Sequence, residues 1–172
     1  MNRVVITGAG SINALGGDVP QTLAAMRDGI CGIGPLDFQD VDRLMIKIGG
    51  QVKNYDIASH FNRQQIALYD RFTQFTLIAA REALKQSGLK FDGELAETSG
   101  VVLGTATGGM KTWDDNYRAV YEGGKNRVHP FVVPKLMNNA ATSHVSIEFN
   151  VKGPSFTVST ACASSNHAIG LA

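Results

Sequence analysis

The sequence predicts an α/β fold, on three observations. Short β-branched runs at Val4–Ile6, Val101–Leu103 and Ser155–Thr160 are bounded by glycine. Longer stretches carry apolar residues three or four positions apart. The two kinds of segment alternate, as they do where strands pair in parallel through helical crossovers.

Val4–Ile6 ends in Thr7-Gly8-Ala9-Gly10, as a buried strand would. Asp18, followed three positions later by Gln21, reads as a capping box that opens a helix stopping near Gly29. From Cys31 to Asn62 the pattern is loose, punctuated by Gly32, Gly34-Pro35 and Gly49-Gly50, and predicts loops and short strands. The clearest helix runs over 70–87, with Phe72, Phe75, Ala79 and Ala83 on one face and Gly88 as its stop. After the strand at Val101–Leu103, Thr105–Met110 is a glycine-bearing loop and 111–122 a helix ending at Gly123-Gly124. Phe131-Val132-Val133-Pro134 leads into a helix over 140–148. The strand Ser155–Thr160 then runs into Ala161-Cys162-Ala163-Ser164-Ser165 and a last helix still in progress at Ala172. No repeat and no linker interrupts the chain, so 1–172 reads as one domain, truncated within the helix after Cys162.

Composition narrows the function. Sixteen basic against fifteen acidic residues leave a formal charge of +1, which gives no electrostatic footprint for nucleic acid or an anionic membrane. The N-terminus lacks a signal-peptide apolar region, and no apolar run approaches the roughly 20 residues of a membrane span. Cys31 and Cys162 are far apart and in no metal-ligand spacing, so free thiols in a cytoplasmic protein are expected, with no metal.

Cys162 is the residue to which chemistry is assigned. Between a strand and the first turn of a helix, a thiol meets unpaired N–H groups and a partial positive charge, which favour thiolate. Its neighbours Ala161, Ala163, Ser164 and Ser165 are small enough for a substrate to approach closely. The turn is similar in principle to the nucleophile elbow of hydrolases. Spacing alone leaves a second reading open, a buried cysteine filling the core as a small apolar residue.

The segment Val158-Ser159-Thr160-Ala161-Cys162-Ala163-Ser164-Ser165-Asn166-His167-Ala168-Ile169-Gly170 resembles the active-site signature of the β-ketoacyl-acyl-carrier-protein synthases. The resemblance continues through Lys152-Gly153-Pro154, Pro130–Pro134, Gly104–Gly109, Asp70-Arg71-Phe72 and Val4–Gly8, nearly the whole chain in order. It implies a thiolase-like fold, of which this chain is the N-terminal half of a five-layer α/β/α/β/α architecture, and a homodimer. It also implies that Cys162 takes an acyl chain from the phosphopantetheine arm of acyl carrier protein. Malonyl carrier protein then decarboxylates and attacks the acyl-cysteine, giving a 3-oxoacyl chain. The Cys162 N–H is implied as one oxyanion-hole donor. No cofactor is expected on this half, since the phosphopantetheine arrives on the carrier. The family's decarboxylating histidines and lysine, and its gate loop, match nothing here, so the C-terminal half is an expected partner and this chain alone is expected to be inactive.

By the same resemblance, Thr107, Gly108, Phe131, Val132, Ala161 and Ala163 would line the acyl pocket. Thr107 stands where a bulky aliphatic gate is common and Val132 where phenylalanine is common, which points to a different pocket. Carrier protein is acidic, and Arg63, Lys125 and Arg127 are its candidate docking residues. Ala67 and Leu68 replace expected basic residues, closer to the specialised nodulation-type synthases. His167 lies five positions after Cys162 and does not share its helix face, so it is expected to be structural. His144 is expected in the core, and His60 and His129 in loops.

Three rivals remain. Gly8-Ala9-Gly10-Ser11-Ile12-Asn13 is similar to a dinucleotide-binding loop, but Asn13 replaces the third glycine. A partner subunit or inactive fragment controlling acyl chain length is the alternative within the family, and such subunits typically lack the cysteine. A thiolase would need a second cysteine beyond Ala172.

Overall fold

The computed structural model describes residues 3–172, which form two compact units. One comprises the chain up to His60 together with Ile78–Gly88, the other Phe61–Leu77 and Leu89–Ala172.

In the first unit, helix α1 (Val19–Arg27) starts at Asp18, whose carboxylate accepts the Gln21 N–H, and stops before Gly29 at φ +67°. Glycine adopts that left-handed conformation without a Cβ penalty. Strands β1 (Gly34–Pro35) and β2 (Ile48–Gly49) form a short antiparallel pair, the only regular structure in the loose segment besides two short 3₁₀ turns. The strand expected at Val4–Ile6 does not form: these residues have no ladder partner among the described residues, and Val4 and Ile6 are about nine-tenths exposed. A lone β-branched run cannot satisfy its own backbone. The chain that follows is fastened by side chains instead. Ala9 N–H donates to Gln86 Oε1, and Ser11 and Val19 N–H donate to the two carboxylate oxygens of Glu82.

That anchorage explains the early glycines. A Cβ on Gly8 would lie 2.1 Å from the Ala83 carbonyl oxygen, and one on Gly10 1.8 Å from that of Ala79. Close approach to a helix, not a phosphate, requires them. Asn13 is held in a turn, donating to Ser11 Oγ and Thr22 Oγ1 while accepting the Leu15 N–H.

The second unit is built on a parallel pair, β3 (Val101–Gly104) and β4 (Ser155–Val158), in register from Val101 opposite Ser155 to Gly104 opposite Val158. Parallel strands require a crossover, and here it contains α5 (Met110–Tyr121), α6 (Val132–Leu136) and α7 (Ala140–Phe149). Helix α8 (Ser164–Leu171) follows β4, and both α7 and α8 pack on the pair. The buried contributors from these helices are small: Ala140, Ala141 and Thr142 from α7, and Ser164 and Ala168 from α8. Small residues bring helix and strand backbones close, so a four-residue strand pair is covered without large side chains. Hydroxyl pairs join α7 to β4 directly, Thr142 with Thr157 at 2.5 Å and Ser146 with Ser155 at 2.7 Å.

Helix α3 (Arg71–Ser87) matches the predicted 70–87 segment and ends before Gly88 at φ +68°. Besides α6, which the sequence reads only as a lead-in to the helix over 140–148, two further short helices were not predicted. The first, α2 (Arg63–Leu68), opens with a complete capping box between Asn62 and Gln65. The other, α4 (Gly93–Thr98), buries only Ala96. At six residues each, neither shows enough apolar periodicity to be found by pattern.

Candidate active site

Strand β4 ends at Val158, and the chain turns through a single 3₁₀ turn, Ala161–Ala163, into α8. Ala161 has φ +49°, a left-handed conformation unusual for a residue with a Cβ. The buried Ser164 hydroxyl closes the turn, accepting the Thr160 N–H at 2.9 Å and donating to the Ala161 carbonyl at 2.7 Å. Gly104, at the end of β3, lets the base of the turn sit close: a Cβ there would lie 2.3 Å from the Ser164 carbonyl carbon and oxygen.

Ala161, Cys162 and Ala163 are all exposed at the crest of this turn. The reading of Cys162 as a core residue is therefore set aside. Among the described residues, no carbonyl or side chain accepts the Cys162 N–H. The crest thus presents a thiol and a backbone donor together.

The glycine-bearing loop lies against the same turn. Thr105 N–H donates to the Val158 carbonyl, and Ser159 Oγ donates to the Ala106 carbonyl at 3.1 Å. Thr107 is exposed, whereas Gly108 is buried at φ +63°. A Cβ on Gly108 would meet Asn138 Oδ1 at 2.6 Å and the Leu136 carbonyl oxygen at 2.7 Å. Gly109 N–H donates to that same Leu136 oxygen. The loop is thereby held between the turn and the C-terminal end of α6, whose first residue is Val132 and whose N-cap is the half-exposed Phe131. Four of the expected pocket residues, Thr107, Gly108, Phe131 and Val132, thus lie on segments linked in series to the crest bearing Ala161 and Ala163.

A buried carboxylate anchors the far end of the loop. Asp70 Oδ2 accepts both the N–H of Thr112, at 2.7 Å, and its hydroxyl, at 2.6 Å, while Oδ1 accepts the Phe72 N–H. One carboxylate thus serves the first turns of both α3 and α5, where helix N-termini favour negative charge. Sequence reasoning noted Asp70 only within a motif and missed its partner Thr112, 42 positions away.

The expected docking residues are separated. Arg63 begins α2 and is exposed. Lys125 and Arg127 line an open concavity of about 810 Å³ with His129 and Pro130. Among the described residues no hydrogen bond or ion pair joins Arg63 to that loop.

His60 and His129 lie in loops as expected, whereas His144, expected in the core, is half-buried and His167, expected to be structural, is exposed. His144 is tilted against the Tyr69 ring at 4.5 Å between centroids, and burial lowers its pKa below the ordinary 6.5, partly offset by Glu148. His129 sits in the loop, where its Nδ1 accepts the Phe131 N–H. His60 closes a 3₁₀ turn and stacks on Tyr55. His167 is exposed on α8. Among the described residues there is no group of three or more metal-ligating side chains, and no helix long and apolar enough to cross a membrane.

Comparison with known proteins bears on the family and the fold. The family model for the β-ketoacyl synthase N-terminal domain matches residues 1–172. A 3-oxoacyl-[acyl-carrier-protein] synthase 2 from Staphylococcus aureus is 37% identical over 168 residues, covering 98% of this chain and 41% of that protein. Nodulation protein E from a Rhizobium species is 39% identical over 171 residues, covering 99% and 42%. The chain therefore spans about two-fifths of the length of the curated relatives it matches. Among solved structures, the ishigamide ketosynthase/chain length factor superposes with a TM-score of 0.84 at 24% identity, over 97% of this chain and 42% of that one. A β-ketoacyl synthase from Burkholderia phymatum gives 0.80 at 24%, over 100% and 43%. These superpositions show the thiolase-like α/β fold. With its whole length matched by the family model and an exposed cysteine at the strand-to-helix turn, this chain belongs to the β-ketoacyl synthase family.

Proposed function

We propose that this chain supplies the nucleophilic half of a 3-oxoacyl-acyl-carrier-protein synthase, with Cys162 as the residue that carries the acyl chain. The observation behind this reading is the exposed thiol on a constrained crest beside a backbone N–H with no acceptor among the described residues. The thiolate of Cys162 attacks the carbonyl carbon of an acyl-phosphopantetheine thioester. A carbon–sulfur bond to Cys162 forms, the bond to the carrier sulfur breaks, and the carrier leaves as thiolate and takes a proton. The Cys162 N–H donates to the oxygen that gains negative charge in the tetrahedral intermediate.

In the second half-reaction a malonyl thioester loses carbon dioxide. The carbanion left behind attacks the acyl carbon, and Cys162 departs as thiolate, releasing a 3-oxoacyl carrier two carbons longer. Thr107, Gly108, Phe131, Val132, Ala161 and Ala163 border the acyl chain in this reading. Acyl carrier protein, in its acyl and malonyl forms, docks through its acidic surface on Lys125 and Arg127, with Arg63 a separate contact. The decarboxylation step draws on the family's C-terminal half, and the working enzyme is a cytoplasmic homodimer.

The test is release of carrier thiol when the protein, joined by the family's C-terminal half, meets a carrier protein bearing a saturated acyl chain. One equivalent per Cys162 is expected, and none from Cys162→Ser. A Cys162→Ser variant that releases thiol like the parent would refute the assignment.

A further inference from the structure

The turn that carries Cys162 holds a residue in an unfavourable backbone conformation, and one side chain keeps it there. Ala161 at φ +49° is followed at once by Cys162, so any relaxation of Ala161 toward the right-handed region re-aims the thiol and its N–H. Thr160, just before, is also outside the regular regions, at φ −140° and ψ 47°. Ser164 bridges both sides of this kink, accepting the Thr160 N–H and donating to the Ala161 carbonyl. Its side chain is buried, and its oxygen is committed to both bonds, so it does not compete for the thiol. Ala163 N–H adds a bond to the Thr160 carbonyl, which closes the turn around Cys162 without touching the thiol. Beneath it, Gly104 leaves no room for the Ser164 backbone to retreat toward β3.

We infer that Ser164 is a positioning residue for the acyl-transfer reaction: its hydroxyl clamps Ala161 in the left-handed conformation and so fixes where the Cys162 thiol and N–H point. The inference rests on Cys162 being the nucleophile. A hydroxyl is required, not merely a small residue. Alanine at 164 would leave the Thr160 N–H and the Ala161 carbonyl without their bridging partner and let the kink relax, whereas threonine keeps a hydroxyl at the same place.

The experiment is the rate of iodoacetamide alkylation at Cys162 and at Cys31, resolved by peptide mass spectrometry across pH, on the parent, Ser164→Ala and Ser164→Thr. Cys31 is exposed, lies in the other compact unit and serves as an internal standard for folding. In the parent, Cys162 reacts roughly ten-fold faster than Cys31 at neutral pH. Ser164→Ala removes most of that advantage with Cys31 unchanged, and Ser164→Thr restores it. If the parent shows the advantage and Ser164→Ala keeps it, the clamp is wrong while the nucleophile stands. If the parent shows no advantage, the nucleophile reading fails and the clamp with it. If Ser164→Ala alters Cys31 as well, Ser164→Thr decides: parental rates at both cysteines support the hydroxyl's role, and slow Cys162 with normal Cys31 overturns it.

Discussion

Individual residues carry most of what is chemically distinctive here. Asp70 is buried and receives three hydrogen bonds from the first turns of two helices. Its replacement by alanine leaves buried donors unsatisfied and removes a cap, and we expect a loss of about 3 kcal/mol in urea unfolding. Asp70→Asn keeps one acceptor oxygen and is expected to lose less. Gly104→Ala is expected to destabilise by about 2 kcal/mol or more, because its Cβ meets the Ser164 backbone and not a flexible side chain. His144 supplies a pH dependence of definite sign. Its folded-state pKa lies below the ordinary 6.5, so the unfolded chain takes up a proton first as pH falls. The stability it contributes is full above about pH 6.5 and is lost as pH falls through the lowered value. The urea midpoint should therefore drop across that window in the parent and flatten in His144→Gln. A parent midpoint that rises as pH falls through the window contradicts the desolvation account.

At the scale of elements, the long helices and the parallel strand pair were legible, while the short helices and the contacts between elements were not. Helix α3 and strands β3 and β4 follow from periodicity and β-branched runs, and Gly29, Gly88 and Gly124 end their helices with positive φ as a stop glycine should. The crest bearing Cys162 was legible as a strand-to-helix turn, but the left-handed Ala161 was not, since alanine gives no signal for that conformation. Likewise, the Asp70–Thr112 contact joins positions too far apart for any local pattern. Val4–Ile6 shows the opposite failure: a run with every mark of a strand that finds no ladder partner among the described residues, because pairing is a property of two segments and not of one. The hydroxyl pairs between α7 and β4 test the packing of that layer. In a double-mutant cycle with Thr142→Val and Thr157→Val, each single change should destabilise, and the pair should show coupling of about 1 kcal/mol. Strict additivity would mean that the two hydroxyls do not bond.

Each compact unit leaves several large apolar side chains open to solvent, the kind of surface that usually marks an interaction site. In the first unit Val4, Ile6, Met45 and Ile46 are largely open, and in the second Tyr121, Ile147, Ile169 and Leu171 are. We expect concentration-dependent association in sedimentation velocity and binding of an apolar dye. A monodisperse monomer that binds no dye would contradict this.

The central claim is that Cys162 takes the acyl group. It is tested most directly by incubating the protein, together with the family's C-terminal half, with an acyl-acyl-carrier-protein, digesting it, and locating the added acyl mass by peptide mass spectrometry. The account predicts a single thioester on the peptide containing Cys162, released by hydroxylamine, with Cys31 unmodified. Acylation of Cys31 at a comparable rate, or an acyl group carried on any residue other than Cys162, would contradict it.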